Sequence, residues 1–430
     1  MPEFPRVFRL RQRFDPTCLA DPAAEVHAQL ARLDLGRVVR PGQSVAIAAG
    51  SRGIARLPEI LRATADHFRA LGAAPLVVPA MGSHGGGTAE GQRRVLESLG
   101  VTETAVGCPI RSSMETLVIA QADEGFPIHF DRLAFEADHV VVCNRVKPHT
   151  RFAGTIESGL MKMLLIGLGK CEGAAVYHRA IHDYGFDRVL RGATAKVLSE
   201  ARVLCGIAIV ENAFDQPARI EALRAEEFAA CEPELLALAR RLMPRLPFDA
   251  ADVLLVDRIG KNISGTGLDA NVVGRKFDDH KAIEGETPRI KSICVRALTP
   301  ASGGNAIGIG LAEFCHARVL AAMDARSTRL NALVSGHVSA AMLPLDYPTD
   351  REMLAAALSS AGLAEPAAAR LLWIRDTLHL ETLAASEAYL AEARSRDDID
   401  VLDAPGQLPF DAQGDLPKSL LDVPPRPDEH

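Results

Sequence analysis

Uninterrupted apolar runs alternate with longer segments of helical spacing along the first half of the chain. Four short runs lack polar alternation, which is typical of strands covered on both faces of a parallel sheet; they are 44–49, 74–80, 140–143 and 205–210. Between the first two runs, apolar residues from Leu57 to Leu71 recur with the period of a helix. A second helix is predicted to begin after Thr88, its N-cap, and to end at Gly100. The pattern predicts a parallel sheet with helices on both faces.

A domain boundary is predicted where this helical pattern stops at Pro244 and Pro247, before a new apolar run at Ala251. We therefore predict an α/β protein of two domains, each a mainly parallel sheet flanked by helices, with the active site in the cleft between them. The predicted segments are a first domain at 1–247, a second domain at 248–403 and an extended or disordered tail, rich in Pro, Asp and Gly, at 404–430. Within the second domain we predict a strand at 292–298 and helices after Gly310, Thr349 and Leu380.

Composition and charge argue against several classes of protein. The chain has 430 residues and a formal net charge of −7, so the basic surface that nucleic acid or an anionic membrane requires is missing. The N-terminus begins polar, and no apolar run is long enough to span a bilayer. Eight cysteines without a C-x-x-C motif give no support to a zinc ribbon or an iron–sulfur site. We expect small buried cysteines in a cytoplasmic protein.

Polar residues suited to ligand binding follow the predicted strands, and ligands of open parallel sheets bind at the carboxyl ends of strands. Ser51 and Arg52 follow the first strand in a glycine-flanked turn, which predicts a phosphate or carboxylate site, with a solvated turn as the alternative. His84 lies between glycines and has no local packing partner. Glycines let a ligand approach the backbone closely, so we favour a functional role for His84 over a flexible loop position.

The third strand leads into a segment that mixes histidines and lysines with small and apolar residues. His149 follows a proline that fixes its backbone, and an imidazole with a pKa of about 6.5 can exchange protons near neutral pH. Lys162 stands among methionines and leucines, where partial burial would favour a nucleophilic amine. Lys170 is a second candidate, and a solvated helical lysine is the alternative for Lys162.

A candidate metal site follows in the same segment. His178 and His182 are four residues apart, so on a helix they share a face and could bind one metal ion. Arg179 replaces the glutamate of the H-E-x-x-H motif, which excludes a zinc-protease interpretation. One core and one surface histidine remain the alternative.

The main polar loop of the second half lies at 260–274 and brings Lys261, amides and hydroxyls together with little bulk. A ligand-binding loop is favoured over a plain turn. The similar segment at 302–308 is less specific, and it is neither a Walker A loop nor a G-x-G-x-x-G motif.

These motifs, from about Val45 to about Arg275, resemble the nickel-dependent lactate racemase family of 2-hydroxyacid racemases and epimerases. Gly82-Ser83-His84 is similar to the family's Gly-Thr-His element, and Pro148-His149 is similar to its second acid/base segment. Ser158-Gly159-Leu160-Met161-Lys162 resembles the Ser-Gly-Gly-x-Lys signature. Ser51-Arg52 resembles part of the Asp-x-Thr-Arg phosphate-binding element, and the segment 268–271 resembles a cofactor loop of the second domain.

The resemblance implies a nickel pincer nucleotide tethered to Lys162, with nickel bound by His178. His84 and His149 would be the acid/base partners while a hydride moves from substrate to cofactor and back. Further cofactor contacts would come from Ser51, Arg52, Lys261, Asp269, Asn271 and Arg275. The implied partners are a small anionic 2-hydroxyacid and cofactor-biosynthesis proteins, so protein made in a foreign host is expected to lack the cofactor. The resemblance is also compatible with a homo-oligomer.

Departures from the family pattern bear on the substrate and on the function. Ala49 stands where the family has Asp, and Leu160 replaces the second glycine of the signature. Val273 and Gly274 occupy the positions of the substrate-facing residues and are followed by Arg275 and Lys276, which favours a larger or more anionic hydroxyacid than lactate. The alternative is a non-catalytic or differently reacting relative that binds a nucleotide or phosphorylated metabolite. An iron–sulfur electron-transfer protein is disfavoured by the cysteine spacing.

Overall fold

The described part of the chain divides into two units. The structure is a computed structural model that describes residues 3–51 and 53–422, without the side chains at 334 and 421. The first unit comprises residues 16–243, and the second unit comprises residues 3–15 together with 244–422. None of the helices in these described ranges is long and apolar enough to cross a membrane.

The regular elements are numbered in chain order. The strands are β1 (Val7–Gln12), β2 (Ser44–Ala49), β3 (Ala74–Pro79), β4 (Thr116–Gln121), β5 (Pro127–Asp131), β6 (His139–Arg145), β7 (Val203–Glu211), β8 (Pro217–Arg224), β9 (Ala250–Val256), β10 (Arg289–Val295), β11 (Phe314–His316), β12 (Leu345–Tyr347), β13 (Leu371–Ile374), β14 (Thr382–Ser386) and β15 (Ile399–Val401). The α-helices are α1 (Pro22–Ala31), α2 (Leu57–Ala70), α3 (Ala89–Ser98), α4 (Glu103–Val106), α5 (Arg132–Glu136), α6 (Leu160–Lys162), α7 (Lys170–Tyr184), α8 (Phe186–Glu200), α9 (Phe228–Leu242), α10 (Ala317–Ala321), α11 (Ala325–Ser335), α12 (Asp350–Ser360) and α13 (Leu390–Ser395). A π-helix covers Met163–Gly167.

The first unit is built on a five-stranded sheet with the order β3-β2-β6-β7-β8. The first four strands pair in parallel, and β8 pairs with β7 in antiparallel fashion. Ala46 and Val142 lie in one apolar cluster, whereas Val45 and Val141 lie in another. Since successive side chains of a strand point to opposite faces, both faces of this sheet are covered. The four predicted strands and the two predicted helices of this region are confirmed as β2, β3, β6, β7, α2 and α3.

The N-terminus of α3 fixes one end of the loop that carries His84. The Thr88 side chain accepts a hydrogen bond from the Gly91 amide at 3.0 Å, as its predicted N-cap role requires. Such a cap contributes about 1 kcal/mol to stability. The cap therefore anchors the end of the loop between β3 and α3.

The second unit contains an eight-stranded sheet with the order β12-β11-β10-β9-β13-β14-β1-β15. The five strands from β12 to β13 in this order are parallel, and the remaining three pair in antiparallel fashion. Helix α12 begins directly after Thr349, as predicted, and β10 covers most of the strand predicted at 292–298. The predicted α/β class, with mainly parallel sheets flanked by helices, is confirmed.

The C-terminal segment is held by a buried ionic network. Arg296 is buried and binds Asp257 and, at 2.7 Å, Asp350. Both carboxylates also accept backbone hydrogen bonds from the tail, Asp350 from the Leu416 amide at 3.0 Å and Asp257 from the Leu420 amide at 2.8 Å. Buried carboxylates need such donors, so the tail is a structural part of the unit. The segment 404–422 is thus an ordered tail with little regular secondary structure, extended rather than disordered, while 423–430 lie outside the described residues.

Other sequence predictions also differ from the structure. The first domain was predicted to start at residue 1, but β1 pairs with β14 and β15 in the sheet of the second unit. The strand β14 stands where a helix was predicted after Leu380, and β11 follows Gly310 before the short α10. β1 and β14 pair across almost the whole chain, and β11 lies between β10 and β12, so these pairings are not marked by any local pattern.

Candidate functional site

The loops after β2 and β3 bring Ser51 and His84 together. Because these strands are parallel neighbours, the residues after their carboxyl ends meet at one edge of the sheet. The Ser51 hydroxyl is hydrogen bonded to Nδ1 of His84, whose side chain is exposed. The three glycines after His84 all have positive φ angles, between 66° and 68°, which other residues adopt only with strain. Arg52, predicted together with Ser51 as part of a phosphate or carboxylate site, lies outside the described residues.

A buried polar network lies behind the His84 loop. The Gln92 side chain donates to the Gly82 carbonyl at 2.7 Å and accepts from the Lys170 ammonium at 3.1 Å. Lys170 also donates to the Pro79 carbonyl at 2.5 Å and forms a fully buried ion pair with Asp131 at 3.0 Å. Burial lowers the pKa of Lys170, and Asp131 opposes that shift. Lys170 therefore holds β3 and its loop in place and does not present the open nucleophilic amine that the sequence left as a second candidate.

Three predicted site residues gather around the ring of Phe152. His149 stacks on this ring with centroids 4.4 Å apart and planes 12° apart. The Lys162 ammonium lies 5.7 Å from the ring centroid, and the His178 ring lies 6.1 Å from it at a tilt of 36°. All four side chains are partly buried. The aromatic ring thus organises an amine and two imidazoles in one place.

The backbone around His149 fixes the orientation of its ring. Its Nδ1 accepts hydrogen bonds from the amides of Arg151, at 3.1 Å, and Phe152, at 3.0 Å. A nitrogen that accepts carries no proton, so the neutral ring holds its proton on Nε2. The His149 amide donates to the buried carboxylate of Glu157 at 2.7 Å, which also pairs with Arg240. Proline, stacking and hydrogen bonds together aim Nε2 of His149.

His178 is suited to metal binding because it is held neutral. Burial lowers its pKa first, and the positive charges of Lys162 and Arg151 lower it further. A neutral imidazole is the form that binds a metal ion. His182 lies on the same helix but is 89% exposed and is hydrogen bonded to Asp183 at 3.0 Å. Of His178 and His182, only His178 contacts the residues around Phe152 within the described structure.

A buried carboxylate holds the turn that presents Lys162. The Glu232 side chain on α9 accepts hydrogen bonds from the amides of Leu160 and, at 3.0 Å, Met161, at the start of α6. A Cβ on Gly159 would come within 2.8 Å of this carboxylate, which explains glycine at that position. The π-helix begins directly after Lys162, and such helices occur frequently at functional sites. Glu232 is therefore a positioning residue for Lys162 that sequence reasoning missed.

The carboxylate of Glu232 predicts an unusual dependence of stability on pH. Burial raises its pKa from 4.5 to about 7 despite the two amide donors. Because the folded state holds this proton more tightly, the contribution of Glu232 to stability falls as the pH rises from about 4.5 through about 7, by about 3 kcal/mol in total. In the Glu232→Gln variant the unfolding free energy is expected not to show this decrease with rising pH, as measured by denaturant unfolding at several pH values. Glu234→Gln, a change at an exposed neighbour on the same helix, is the control. Parallel stability curves for Glu232→Gln and the parent would contradict the assignment.

The Ser51–His84 pair and the residues around Phe152 adjoin the same helical segment. A Cβ on Gly50, next to Ser51, would lie 2.9 Å from Met163, the residue after Lys162. The Gly82 amide, in the His84 loop, donates to the Gly167 carbonyl at the end of the π-helix at 3.1 Å. Both strand-end loops thus contact the π-helix, which ties the Ser51–His84 pair to the segment that carries Lys162.

The predicted cofactor residues of the second unit are engaged in contacts within that unit. The Lys261 ammonium donates to the Gly265 carbonyl and to Asn331, both at 2.8 Å. Asp269 accepts from the backbone and side-chain nitrogens of Asn271, both at 3.0 Å. Arg275 is fully buried and pairs with Glu313 at 2.7 Å. Contrary to expectation, its guanidinium is enclosed among protein groups and is not open to a ligand.

Sequence reasoning missed several residues that shape the site. Phe152 lies in the same segment as His149 and Lys162, whereas Gln92, Asp131 and Glu232 reach the predicted residues from elements distant in the chain. Asp131 and Glu232 are acidic residues among apolar neighbours, and a buried acidic group calls for a partner. That pattern was the available signal, although it does not name the partner.

Comparison with known proteins gives a relationship at the level of the fold. No family model matches the sequence, and no curated protein matches it significantly. The solved structure of the lactate racemase apoprotein from Thermoanaerobacterium thermosaccharolyticum matches with a TM-score of 0.54 and 13% sequence identity. The match covers 86% of this chain and 93% of that chain. The chain therefore has a fold similar to that of a lactate racemase apoprotein, over nearly its whole length.

Proposed function

We propose that this protein is a racemase or epimerase of a small anionic 2-hydroxyacid. The observation that carries the proposal is the gathering of Lys162, His149 and His178 around Phe152, together with the contact between the His84 loop and the π-helix that follows Lys162. These are the residues that the family resemblance picked out from sequence alone. The similarity of fold to a lactate racemase apoprotein supports the same reaction class.

The residues around Phe152 have the chemistry that a nickel pincer nucleotide requires. Lys162 offers a partly buried primary amine for the covalent tether, and His178 offers a neutral imidazole for nickel. Both side chains lie against one ring, so one bound group can reach both. When bound, this cofactor would supply a hydride acceptor that can return the hydride to either face of the substrate carbon.

The histidines would handle the proton of the substrate hydroxyl. His84, whose Nδ1 is hydrogen bonded to the Ser51 hydroxyl, would take this proton on Nε2 in the tautomer that carries its own proton on Nδ1. His149, which accepts at Nδ1, would donate a hydrogen bond from Nε2 to the substrate oxygen and must change tautomer to act as a base. Enantiomers have equal free energies, so substitution of either histidine by asparagine must lower kcat/KM equally in both directions of a racemisation.

The decisive experiment follows a deuterium label at C2 of the hydroxyacid. Protein is prepared from its native host or together with cofactor-biosynthesis proteins, and candidate hydroxyacids deuterated at C2 are converted in ordinary water. Hydride transfer keeps the label on the carbon through inversion. Loss of deuterium to solvent would indicate proton abstraction at carbon and contradict the proposal, as would full turnover after nickel is removed.

A nucleotide- or phosphometabolite-binding protein without this reaction is the second candidate. The absence of a carboxylate at Ala49, where the family has Asp, favours it. Calorimetric titration with nucleotides and hydroxyacids, with and without nickel, separates the two candidates. Nucleotide binding that does not depend on nickel, together with no stereochemical turnover, would favour the second.

A further inference from the structure

A cavity of about 460 Å³ lies at the carboxyl ends of strands in the second unit. Its wall includes Arg258, just beyond the end of β9, Thr299, beyond the end of β10, and Arg375, directly after β13. Lys418 and Ser419, from the C-terminal segment, complete the wall. The volume is within the range of small-molecule sites in proteins.

The strand order makes this the place where an α/β sheet usually binds its ligand. From β9 the chain moves outwards through β10, β11 and β12, and then returns to place β13 on the other side of β9. The direction in which the chain advances across the sheet therefore reverses between β9 and β13. Ligands of open parallel sheets bind in the crevice at such a switch point. The Arg258 amide donates to the Arg375 carbonyl at 3.1 Å, so the two strand ends are joined there.

The cavity wall carries an excess of positive charge. Arg258, Arg375 and Lys418 contribute three cations. The carboxylate in the wall, Asp257, pairs with the buried Arg296, which it shares with Asp350, and Asp350 is also bound by Arg318 at 3.1 Å.

One further carboxylate is shared between the two arginines. Asp376 binds Nε of Arg258 at 3.0 Å and lies 3.8 Å from Nε of Arg375. Within the described structure, the terminal nitrogens of Arg258 make no hydrogen bond, and Lys418 has no ion pair. One carboxylate for three cations leaves net positive charge facing the cavity.

Neutral donors accompany these cations. The Thr299 hydroxyl donates to Oδ1 of Asn262 at 2.6 Å, which leaves the amide nitrogen of Asn262 as a donor in the wall. Guanidinium groups with terminal nitrogens to spare bind carboxylates and phosphates through paired hydrogen bonds. We propose that this cavity binds the oxyanion group of a small phosphorylated or carboxylated metabolite. The proposal concerns the second unit alone and does not rest on the racemase assignment.

The test is calorimetric titration of the full chain with inorganic phosphate and, separately, with malonate, at constant ionic strength set by sodium chloride. Binding of phosphate alone identifies a phosphorylated ligand, and binding of malonate alone identifies a carboxylated one. Binding of both supports a general oxyanion site. Binding of neither overturns the proposal.

Substitutions then locate the binding. Lys418→Met and Arg375→Gln are each expected to lower the affinity for the anion about tenfold, because each removes a charge-assisted contact. Arg370→Gln is the matched control, since Arg370 is a partly exposed arginine just before the opposite end of β13. Equal affinities in Lys418→Met, Arg375→Gln and the control would place the anion elsewhere and overturn the proposal. Lys418 is exposed, so its variant is expected to fold even if Arg375→Gln does not.

Discussion

Replacing Lys162 by alanine is expected to abolish the covalent cofactor adduct and to lower racemisation by roughly a thousandfold or more. The reason is that a tether fixes the reacting group against the substrate, and such fixation is worth a large effective concentration. The ammonium of Lys162 lies over Phe152 beside His149 and His178, and the other lysine of this segment, Lys170, is buried in an ion pair. Intact mass measures the adduct, and the chirality of the product measures the reaction.

The fold is expected to tolerate this change well. Position 162 is the last residue of α6, and alanine is the best helix former, so the unfolding free energy should change little. Lys196→Ala is the matched control, since Lys196 is a helical lysine of the same unit that pairs with Asp123 at 3.1 Å on the surface. An unchanged adduct mass in Lys162→Ala, or nickel-dependent activity equal to that of Lys196→Ala, would refute the tether.

Replacing Lys170 by methionine is expected to cost about 3–5 kcal/mol of unfolding free energy. The change leaves the buried Asp131 without its cation, and an uncompensated buried charge is strongly destabilising. It also removes the donors to the Pro79 carbonyl and to Gln92. Denaturant unfolding measures the loss, with Lys196→Ala again as the surface control.

A double variant isolates the ion pair. In Asp131→Asn the side-chain oxygen can still cap α5 through the Ala134 amide, a contact of 2.8 Å, while the charge is gone. Lys170→Met combined with Asp131→Asn should therefore be more stable than Lys170→Met alone. A double variant whose loss equals the sum of the single losses would show that the pair makes no contribution as a pair.

The same network predicts a local effect on the His84 loop. Gln92 connects Lys170 to the Gly82 carbonyl, so the loss of Lys170 frees one end of that connection. Hydrogen exchange of the amides from Gly82 to Gly87 should be faster in Lys170→Met than in the parent. Unchanged protection there, with global stability lowered, would limit Lys170 to a role in the core.

The sequence by itself determined the α/β class and the strands that carry the site. The runs at 44–49 and 140–143 are apolar at nearly every position, and a strand of that kind can only lie inside a sheet covered on both faces. The same reasoning placed Ser51, His84 and His149 after strand ends, since parallel strands expose their carboxyl ends at one edge. The N-cap at Thr88 was equally local, because a cap depends on residues within one turn.

Only the tertiary structure decided which side chains meet and which are buried. Lys162 and Lys170 look alike in sequence, yet one faces Phe152 while the other is enclosed with Asp131. Glu232 reaches the turn before Lys162 from α9, and β1 joins strands from the other end of the chain. Such contacts join residues far apart in sequence, and their formation depends on packing and burial across the whole unit, which a local pattern of polar and apolar residues does not encode.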